Sequence, residues 1–353
     1  MMWIAIILLP LVALAIFTRV YLYGPDLSEF DTPLGQQFAT QPEPSDEHDT
    51  VVASLSVGTG AIREAPRKQQ LALMREYMDQ MSDNLELSSS FTPVDAGGVP
   101  AEWVMAPGAD GSHRLLYIHG GAFVMGSPRS HRNITSRFSE IAGCAVLAID
   151  YRLMPEHRRM AGVTDCQTAY EWLLQNGPEG PSPSTRIFIA GDSAGGNLSL
   201  MMAAWTRDHS TRKADAVVAL SPTTDTTFGA PSMKANIETD AMLGPMFKGL
   251  AKIPRPLLLW GGWIQNKITP ASPVISPVFG DLGNLPPTLV QASEAEMLRD
   301  DGRRYVNRAV LHGSPAKFQT WPHVVHVWHM FYPQLTEARE AWDEIEKFLA
   351  EIG

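Results

Sequence analysis

The chain has 353 residues, of which 44% are hydrophobic, 19% are charged and only two are cysteines. This composition excludes a disordered protein and a small disulfide-stabilised one. The net charge of −10 argues against a nucleic-acid partner, because phosphate binding requires a basic surface. Cys144 and Cys166 lie in apolar or helical sequence, and we expect free buried thiols rather than a disulfide between them.

The first 17 residues carry no charge, and apolar character continues to Leu22. At about 1.5 Å per residue, a helix of this length spans the roughly 30 Å hydrocarbon core of a bilayer. The pattern predicts that residues 1–23 form a single membrane anchor. A cleaved signal peptide, with Ala13-Leu14-Ala15 as a cleavage-like motif, is the alternative and would give an exported soluble protein. The side of the membrane is left open.

Residues 24–50 contain seven acidic residues, no lysine or arginine, and several proline, glycine, serine and threonine residues. Such a composition is typical of a solvated chain that cannot bury much apolar surface. We therefore predict an acidic linker over 24–50.

A helical stripe follows in the region of residues 62–87. Steps of three and four residues separate its apolar members, as expected for one face of a helix that packs on a core. The methionines among them would also suit a deformable wall over an apolar pocket. The stripe consists of Leu71, Met74, Met78, Met81 and Leu85.

From about residue 100, short apolar runs alternate with helical patterns. Several runs are continuously hydrophobic, which is typical of parallel strands covered on both faces. About 67 residues separate the fourth and fifth runs, far more than one crossover needs, and this indicates an inserted subdomain. The predicted strands are Leu115–Ile118, Ala145–Ile149, Ile187–Ala190, Ala216–Leu220, Thr288–Gln291 and Lys317–Thr320.

A G-x-S-x-G motif, Gly191-Asp-Ser193-Ala-Gly195, follows the third run and precedes a helical stretch. In that strand–turn–helix context the motif predicts a nucleophilic serine held on a sharp turn. Two adjacent glycines, Gly120 and Gly121, follow the first run. Their amides, together with that of Ala194, are candidate donors to the oxyanion of an acyl-transfer intermediate.

A serine nucleophile needs a base, and three histidines, His323, His326 and His329, follow the last predicted strand. That position is the carboxyl edge of the sheet, where ligands bind in doubly wound folds. The three-residue spacing also suits a metal site, but no H-E-x-x-H motif accompanies it.

These motifs together resemble the hormone-sensitive lipase family of α/β-hydrolase esterases. The resemblance implies Ser193 as nucleophile, His326 as base, and Glu296 as the acid that orients His326. Glu294 and the two aspartates Asp300 and Asp301 share the loop and stay open as alternatives for the acid. The motifs that carry the resemblance are His119-Gly-Gly121, Asp150-Tyr-Arg-Leu-Met-Pro-Glu-His157, Gly191-Asp-Ser-Ala-Gly-Gly196, Ser221-Pro222 with Asp225, Leu285-Pro-Pro287 and Glu296-Met-Leu-Arg-Asp-Asp301.

The family resemblance also implies the fold: an α/β-hydrolase fold with a mostly parallel central sheet flanked by helices, and a helical cap. It places the cap in residues 51–95 and in an insertion at about 222–285 of a hydrolase domain that spans 96–353.

The expected activity is a serine carboxylesterase acting on short- to medium-chain esters, without cofactor or metal. A deacetylase or amidase with the same triad is one alternative, and a non-catalytic ligand-binding homologue is another. The expected partners are a small-molecule ester and, through the N-terminus, a membrane. A homodimer is left open.

Overall fold

The protein is seen in a computed structural model that describes residues 12–38, 43–83 and 85–352. Within these residues one mixed sheet of nine strands organises the chain, in the order β1-β9-β8-β7-β6-β4-β5-β3-β2. Strands β2 and β3 run antiparallel to their neighbours, and all other pairs are parallel. The strands of this sheet are β1 Gln36–Gln37, β2 Ser90–Asp95, β3 Pro100–Met105, β4 Asp110–Ile118, β5 Cys144–Ile149, β6 Arg186–Asp192, β7 Ala216–Leu220, β8 Thr288–Ser293 and β9 Ala316–Trp321.

All six predicted strands are present, as β4 to β9. Their apolar runs are continuous because helices cover both faces; every residue of β5, for example, is buried. The antiparallel strands β2 and β3 were not predicted. Strand β2 is an edge strand with mostly exposed residues and a proline, Pro93, which an edge position tolerates.

Helices pack on both faces of the sheet. Helices α4, α5 and α9 contribute to the core on one face, and α3 and α10 to the core on the other. Cys144 and Cys166 are buried free thiols in these cores. The helices are α1 Asp46–Glu64, α2 Arg67–Asp79, α3 Arg132–Ala142, α4 Arg159–Leu173, α5 Ser193–Asp208, α6 Ser232–Ala235, α7 Gly244–Phe247, α8 Arg255–Asn266, α9 Arg299–Leu311 and α10 Thr336–Glu351.

The prediction of an acidic linker over residues 24–50 is wrong for the residues of this segment that the structure describes, 24–38 and 43–50. Leu27 and Phe30 are buried in the core beside α9, and Asp31 pairs with the buried Arg304 at 2.6 Å. Strand β1 adds to the sheet next to β9, and α1 already begins at Asp46. These contacts make the described part of the segment a part of the folded domain. The prediction failed because the average composition does not reveal two buried apolar side chains and one acid with a buried partner.

The helical stripe at 62–87 is divided in the structure. Helix α2 ends at Asp79, Met81 lies in the turn that follows, and Leu85 lies beyond the helix. The region assigned to the cap, 51–95, holds most of α1 and all of α2, but its last six residues form β2 of the central sheet. Between β7 and β8 the insertion forms three short helices, α6, α7 and α8.

The predicted anchor, residues 1–23, lies partly outside the described residues, since 1–11 are not among them. In the part of the chain that is described, no helix is both long enough and apolar enough to cross a bilayer. Phe17 contacts the Trp260 ring of α8 with centroids 5.4 Å apart, and the Trp260 indole N–H donates to Thr18. Anchoring through the N-terminus stays a prediction.

Candidate active site

Ser193 occupies a sharp turn at the carboxyl end of β6, where it is the first residue of α5. Its φ of +52° is in the left-handed region that non-glycine residues rarely adopt. The turn is tight because the flanking backbone has no side chains: a Cβ on Gly195 would overlap the carbonyl oxygen of Ile118. The predicted strand–turn–helix context of the motif is therefore present.

His326 lies in the loop after β9 and faces Ser193. Its Nε2 is 2.9 Å from Ser193 Oγ, although 133 residues separate the two in sequence. The imidazole is almost entirely buried, so bulk water does not compete for this contact.

Glu296 lies in the loop after β8, and its Oε2 is 2.7 Å from His326 Nδ1. Its other oxygen, Oε1, accepts from the backbone N–H of Ser293 at 3.1 Å. The carboxylate therefore accepts on both oxygens and fixes the ring so that Nδ1 donates and Nε2 is free to accept from Ser193.

The three other acids of this loop contact different groups. Glu294 lies 3.3 Å from both Arg299 and Arg303, and Asp300 also pairs with these two arginines. Asp301 accepts from backbone N–H groups of the segment after β7. Of the four candidates, Glu296 alone has a hydrogen bond to His326 in the described structure.

Electrostatics favour the charged form of His326. Burial disfavours the imidazolium, but the hydrogen bond to Glu296 and the negative charge of that carboxylate outweigh burial and raise the pKa of His326 above its ordinary value. A base of raised pKa takes a proton from serine more readily than free histidine does.

The structure contradicts one of the three predicted oxyanion donors. The N–H of Gly120 donates to Asp192 Oδ1 at 2.9 Å, so this amide cannot also serve an oxyanion. The next two amides, of Gly121 and Ala122, belong to residues with φ of +110° and +54°, and both residues line the cavity beside Ser193. Prediction of Gly120 as a donor is therefore wrong, and the free donors next to Ser193 are Gly121, Ala122 and Ala194.

Asp192 supports this loop, a role that the sequence reasoning missed. Besides Gly120, it accepts from the Tyr117 hydroxyl at 2.5 Å and lies 3.3 Å from the buried His131 imidazole. Burial opposes its charge, but His131 and the hydrogen bond from Tyr117 lower the pKa of Asp192 to about 2. The only signal in the sequence was its place inside the G-x-S-x-G motif.

The insertion also supports the acid loop, which was not predicted either. The Asn236 side chain donates to the carbonyl oxygens of Glu294 and Glu296, both at 2.8 Å. Asp240 accepts from the N–H of Met297 at 2.8 Å. These contacts join the cap to the loop that holds Glu296.

The three clustered histidines point in different directions. His323 is exposed, and His329 contacts the buried Gln291 at 2.8 Å. Burial lowers the pKa of His329 to about 3, so the ring is neutral. No group of three metal-ligating side chains occurs among the described residues.

A cavity of about 960 Å³ opens above Ser193. Its walls are mostly apolar and come from both parts of the cap and from the oxyanion loop. The three methionines of the stripe, Met74, Met78 and Met81, line it, so they form a pocket wall as well as packing the cap.

Comparisons with known proteins agree with this architecture. Residues 115–330 match a family described by its alpha/beta hydrolase fold. An acetyl-hydrolase of Streptomyces hygroscopicus is 37% identical over 72% of this chain and 81% of its own length. The carboxylesterase/phospholipase LipF of Mycobacterium tuberculosis is 34% identical over 73% of this chain and 68% of its own length.

Solved structures similar to this chain are also esterases and lipases. An esterase from the bacterial hormone-sensitive lipase family is 34% identical, with a TM-score of 0.74 over 88% of this chain and all of the other. A hormone-sensitive lipase from a metagenome library is 28% identical, with a TM-score of 0.74 over 88% of this chain and 99% of the other. With its α/β-hydrolase sheet, its serine turn and these relatives, the chain belongs to the hormone-sensitive lipase family of esterases.

Proposed function

We propose that the chain is a serine carboxylesterase that works through an acyl-enzyme on Ser193. The observation that carries the proposal is the unbroken hydrogen-bonded series from Ser193 Oγ through His326 to Glu296, at the base of an apolar cavity. A ligand-binding homologue without catalysis would not need this arrangement, so the geometry favours an enzyme.

The residues have separate roles in the reaction. His326 Nε2 takes the hydroxyl proton while Ser193 Oγ attacks the ester carbonyl carbon. The resulting oxyanion accepts from the amides of Gly121, Ala122 and Ala194. His326 then gives its proton to the departing alcohol oxygen, and the acyl group stays on Ser193. A water, deprotonated by His326, attacks this ester. His326 then returns the proton to Ser193 Oγ as the bond to the acyl group breaks and the carboxylic acid leaves.

The cavity favours esters of short to medium acyl chain, of about two to eight carbons. A largely apolar space of about 960 Å³ accommodates one such chain with a compact alcohol, and it is smaller than a triglyceride with three long chains. The methionine wall can adjust to chains of different length.

A second candidate is the removal of acetyl groups, including N-acetyl groups. It is favoured by the relative of highest identity given above, which is named an acetyl-hydrolase. The same triad can cleave an amide, provided that His326 protonates the leaving nitrogen. Comparing p-nitrophenyl acetate with p-nitroacetanilide separates the two.

A panel of p-nitrophenyl esters from acetate to palmitate tests the main proposal. We expect kcat/KM to peak between two and eight carbons and emulsified long-chain triglyceride to react poorly. Ser193→Ala should abolish turnover, by about 10⁶-fold in kcat. Residual activity within tenfold of the unaltered enzyme would contradict the proposal.

A further inference from the structure

The larger part of the cap insertion, residues 241–280, differs in charge from the rest of the chain. Residues 241–280 contain four basic residues and no acidic one, whereas the whole chain has a net charge of −10. Lys248 pairs with Glu238, and Arg255 donates to the backbone of Thr227. Lys252 and Lys267 are exposed and have no acidic partner among the described residues, so this part of the cap presents uncompensated positive charge.

Large apolar side chains are exposed among these lysines. Leu257 is 62% exposed and Ile264 is 55% exposed. They are seven residues apart on α8 and thus lie on one side of it, whereas Leu259 is fully buried. We call this surface the cap face, consisting of Met246, Leu250, Ile253, Leu257 and Ile264 together with Lys252 and Lys267.

The cap face continues into the N-terminal segment. Phe17 contacts both Trp260 and Trp263 of α8, with centroid distances of 5.4 and 5.8 Å. Four apolar side chains of this segment are about half exposed or more, and the sequence is uncharged from residue 1 to residue 18. The exposed apolar side chains of the two packed segments therefore lie next to one another rather than singly, which is a feature of surfaces that bind a partner. The four side chains are Val12, Leu14, Ile16 and Val20.

The cavity opens on the same side of the molecule. Met246, Ile253 and Leu257 each line the cavity above Ser193, and each is also at least 40% exposed. The cap face therefore borders the entrance to the candidate active site.

We propose that the cap face docks on an anionic lipid surface and holds the cavity entrance against it. Interleaved lysines and large apolar side chains are what an interfacial helix uses: the apolar groups enter the headgroup boundary and the lysines contact acidic headgroups. The uncharged N-terminal sequence, packed against α8 through Phe17, favours a lipid layer over a protein partner. An ester dissolved in that layer reaches Ser193 without crossing water, a consequence that rests on the proposed esterase activity.

A fluorescent probe on the full-length protein tests the docking. Cys144 and Cys166 are fully buried, so a cysteine introduced by Leu257→Cys can be labelled selectively with a polarity-sensitive nitrobenzoxadiazole dye. Leu311→Cys is the matched control. Leu311 is 70% exposed and ends α9 shortly before the start of β9, at the opposite edge of the sheet.

Vesicles of phosphatidylcholine alone are compared with vesicles that contain about one quarter phosphatidylglycerol. We expect a blue shift and brighter emission at position 257 with the anionic vesicles, and no change at position 311. If the dye at 257 keeps its aqueous emission while the protein co-sediments with vesicles, the N-terminus alone attaches the protein and the proposal is wrong.

Charge reversal tests the contribution of the lysines. Lys252→Glu combined with Lys267→Glu should raise the lipid concentration at half-maximal signal by about tenfold or more. Lys213→Glu combined with Lys317→Glu changes the net charge by the same amount, but near the amino ends of the strands, away from the cap face. This pair should leave the lipid concentration at half-maximal signal within about twofold. Equal effects of the two pairs would overturn the proposal. Hydrolysis of p-nitrophenyl acetate without lipid is measured separately, so loss of esterase activity is distinguishable from loss of docking.

Discussion

Replacing Glu296 by glutamine keeps the size of the side chain and removes its charge and one acceptor. In the unaltered protein, the Glu296 carboxylate accepts from two donors, the Ser293 amide and His326 Nδ1. A glutamine has one acceptor oxygen and one NH₂ group, so it can satisfy only one of these donors. The backbone N–H of Ser293 cannot change, whereas the histidine proton can move to the other nitrogen.

We therefore expect the Glu296→Gln amide oxygen to face Ser293 and its NH₂ group to face His326 Nδ1. The proton of His326 then sits on Nε2, which can no longer accept from Ser193. The opposite orientation leaves the buried Ser293 N–H unpaired, at a cost of about 1–3 kcal/mol. A wrong tautomer of this kind lowers kcat by about 10⁴-fold, or about 5.4 kcal/mol.

The assay is the steady-state hydrolysis of p-nitrophenyl butyrate, with circular dichroism to confirm folding. Glu294→Gln is the matched control, because Glu294 is half-buried, contacts arginines and has no hydrogen bond to His326. Its kcat should stay within about threefold. If Glu294→Gln is the crippled variant, or if Glu296→Gln keeps a tenth of the activity, the acid assignment is refuted.

Three further predictions follow from the charges and from the N-terminus. Because Glu296 raises the pKa of His326, and the base must be unprotonated, kcat/KM of the unaltered enzyme should rise with pH around a midpoint above 6.5; a midpoint below that value contradicts the coupling. Burial and the neighbouring Asp225 carboxylate raise the pKa of Asp301 to about 8, so the folded state binds a proton that the unfolded state releases above about pH 4. The thermal midpoint should therefore fall as pH rises from about 5 to about 8.5, and the fall should be smaller in Asp301→Asn. An equal fall in both proteins would contradict the assignment of this pH dependence to Asp301. Full-length protein expressed in bacteria should sediment with membranes and resist a high-salt wash if residues 1–23 anchor it, whereas a soluble protein with an intact N-terminus excludes the anchor.

The central strands and the serine turn could be predicted because local sequence determines them. A strand buried on both faces needs a continuous apolar run, as in β5, and a tight turn behind Ser193 needs glycine. The meeting of Ser193 with His326 followed from topology, because carboxyl ends of parallel strands share one edge.

Other features depend on partners distant in sequence and were not predictable. Whether Gly120 N–H is free depends on the orientation of Asp192, 72 residues later. The burial of Leu27 and Phe30 depends on α9, more than 250 residues away, and no local pattern indicates it. The support of the acid loop by Asn236 and Asp240 likewise arises only when the cap is folded.

Covalent labelling of Ser193 is the most direct test of the account. A p-nitrophenyl alkylphosphonate should be attacked by Ser193 Oγ at phosphorus, releasing p-nitrophenolate and leaving a stable tetrahedral phosphonyl ester that resembles the acylation intermediate. We predict one equivalent of p-nitrophenolate per chain, a matching mass increase on the peptide that contains Ser193, and no reaction in Ser193→Ala. Labelling of another residue, or an unlabelled protein that still hydrolyses esters, would contradict the account.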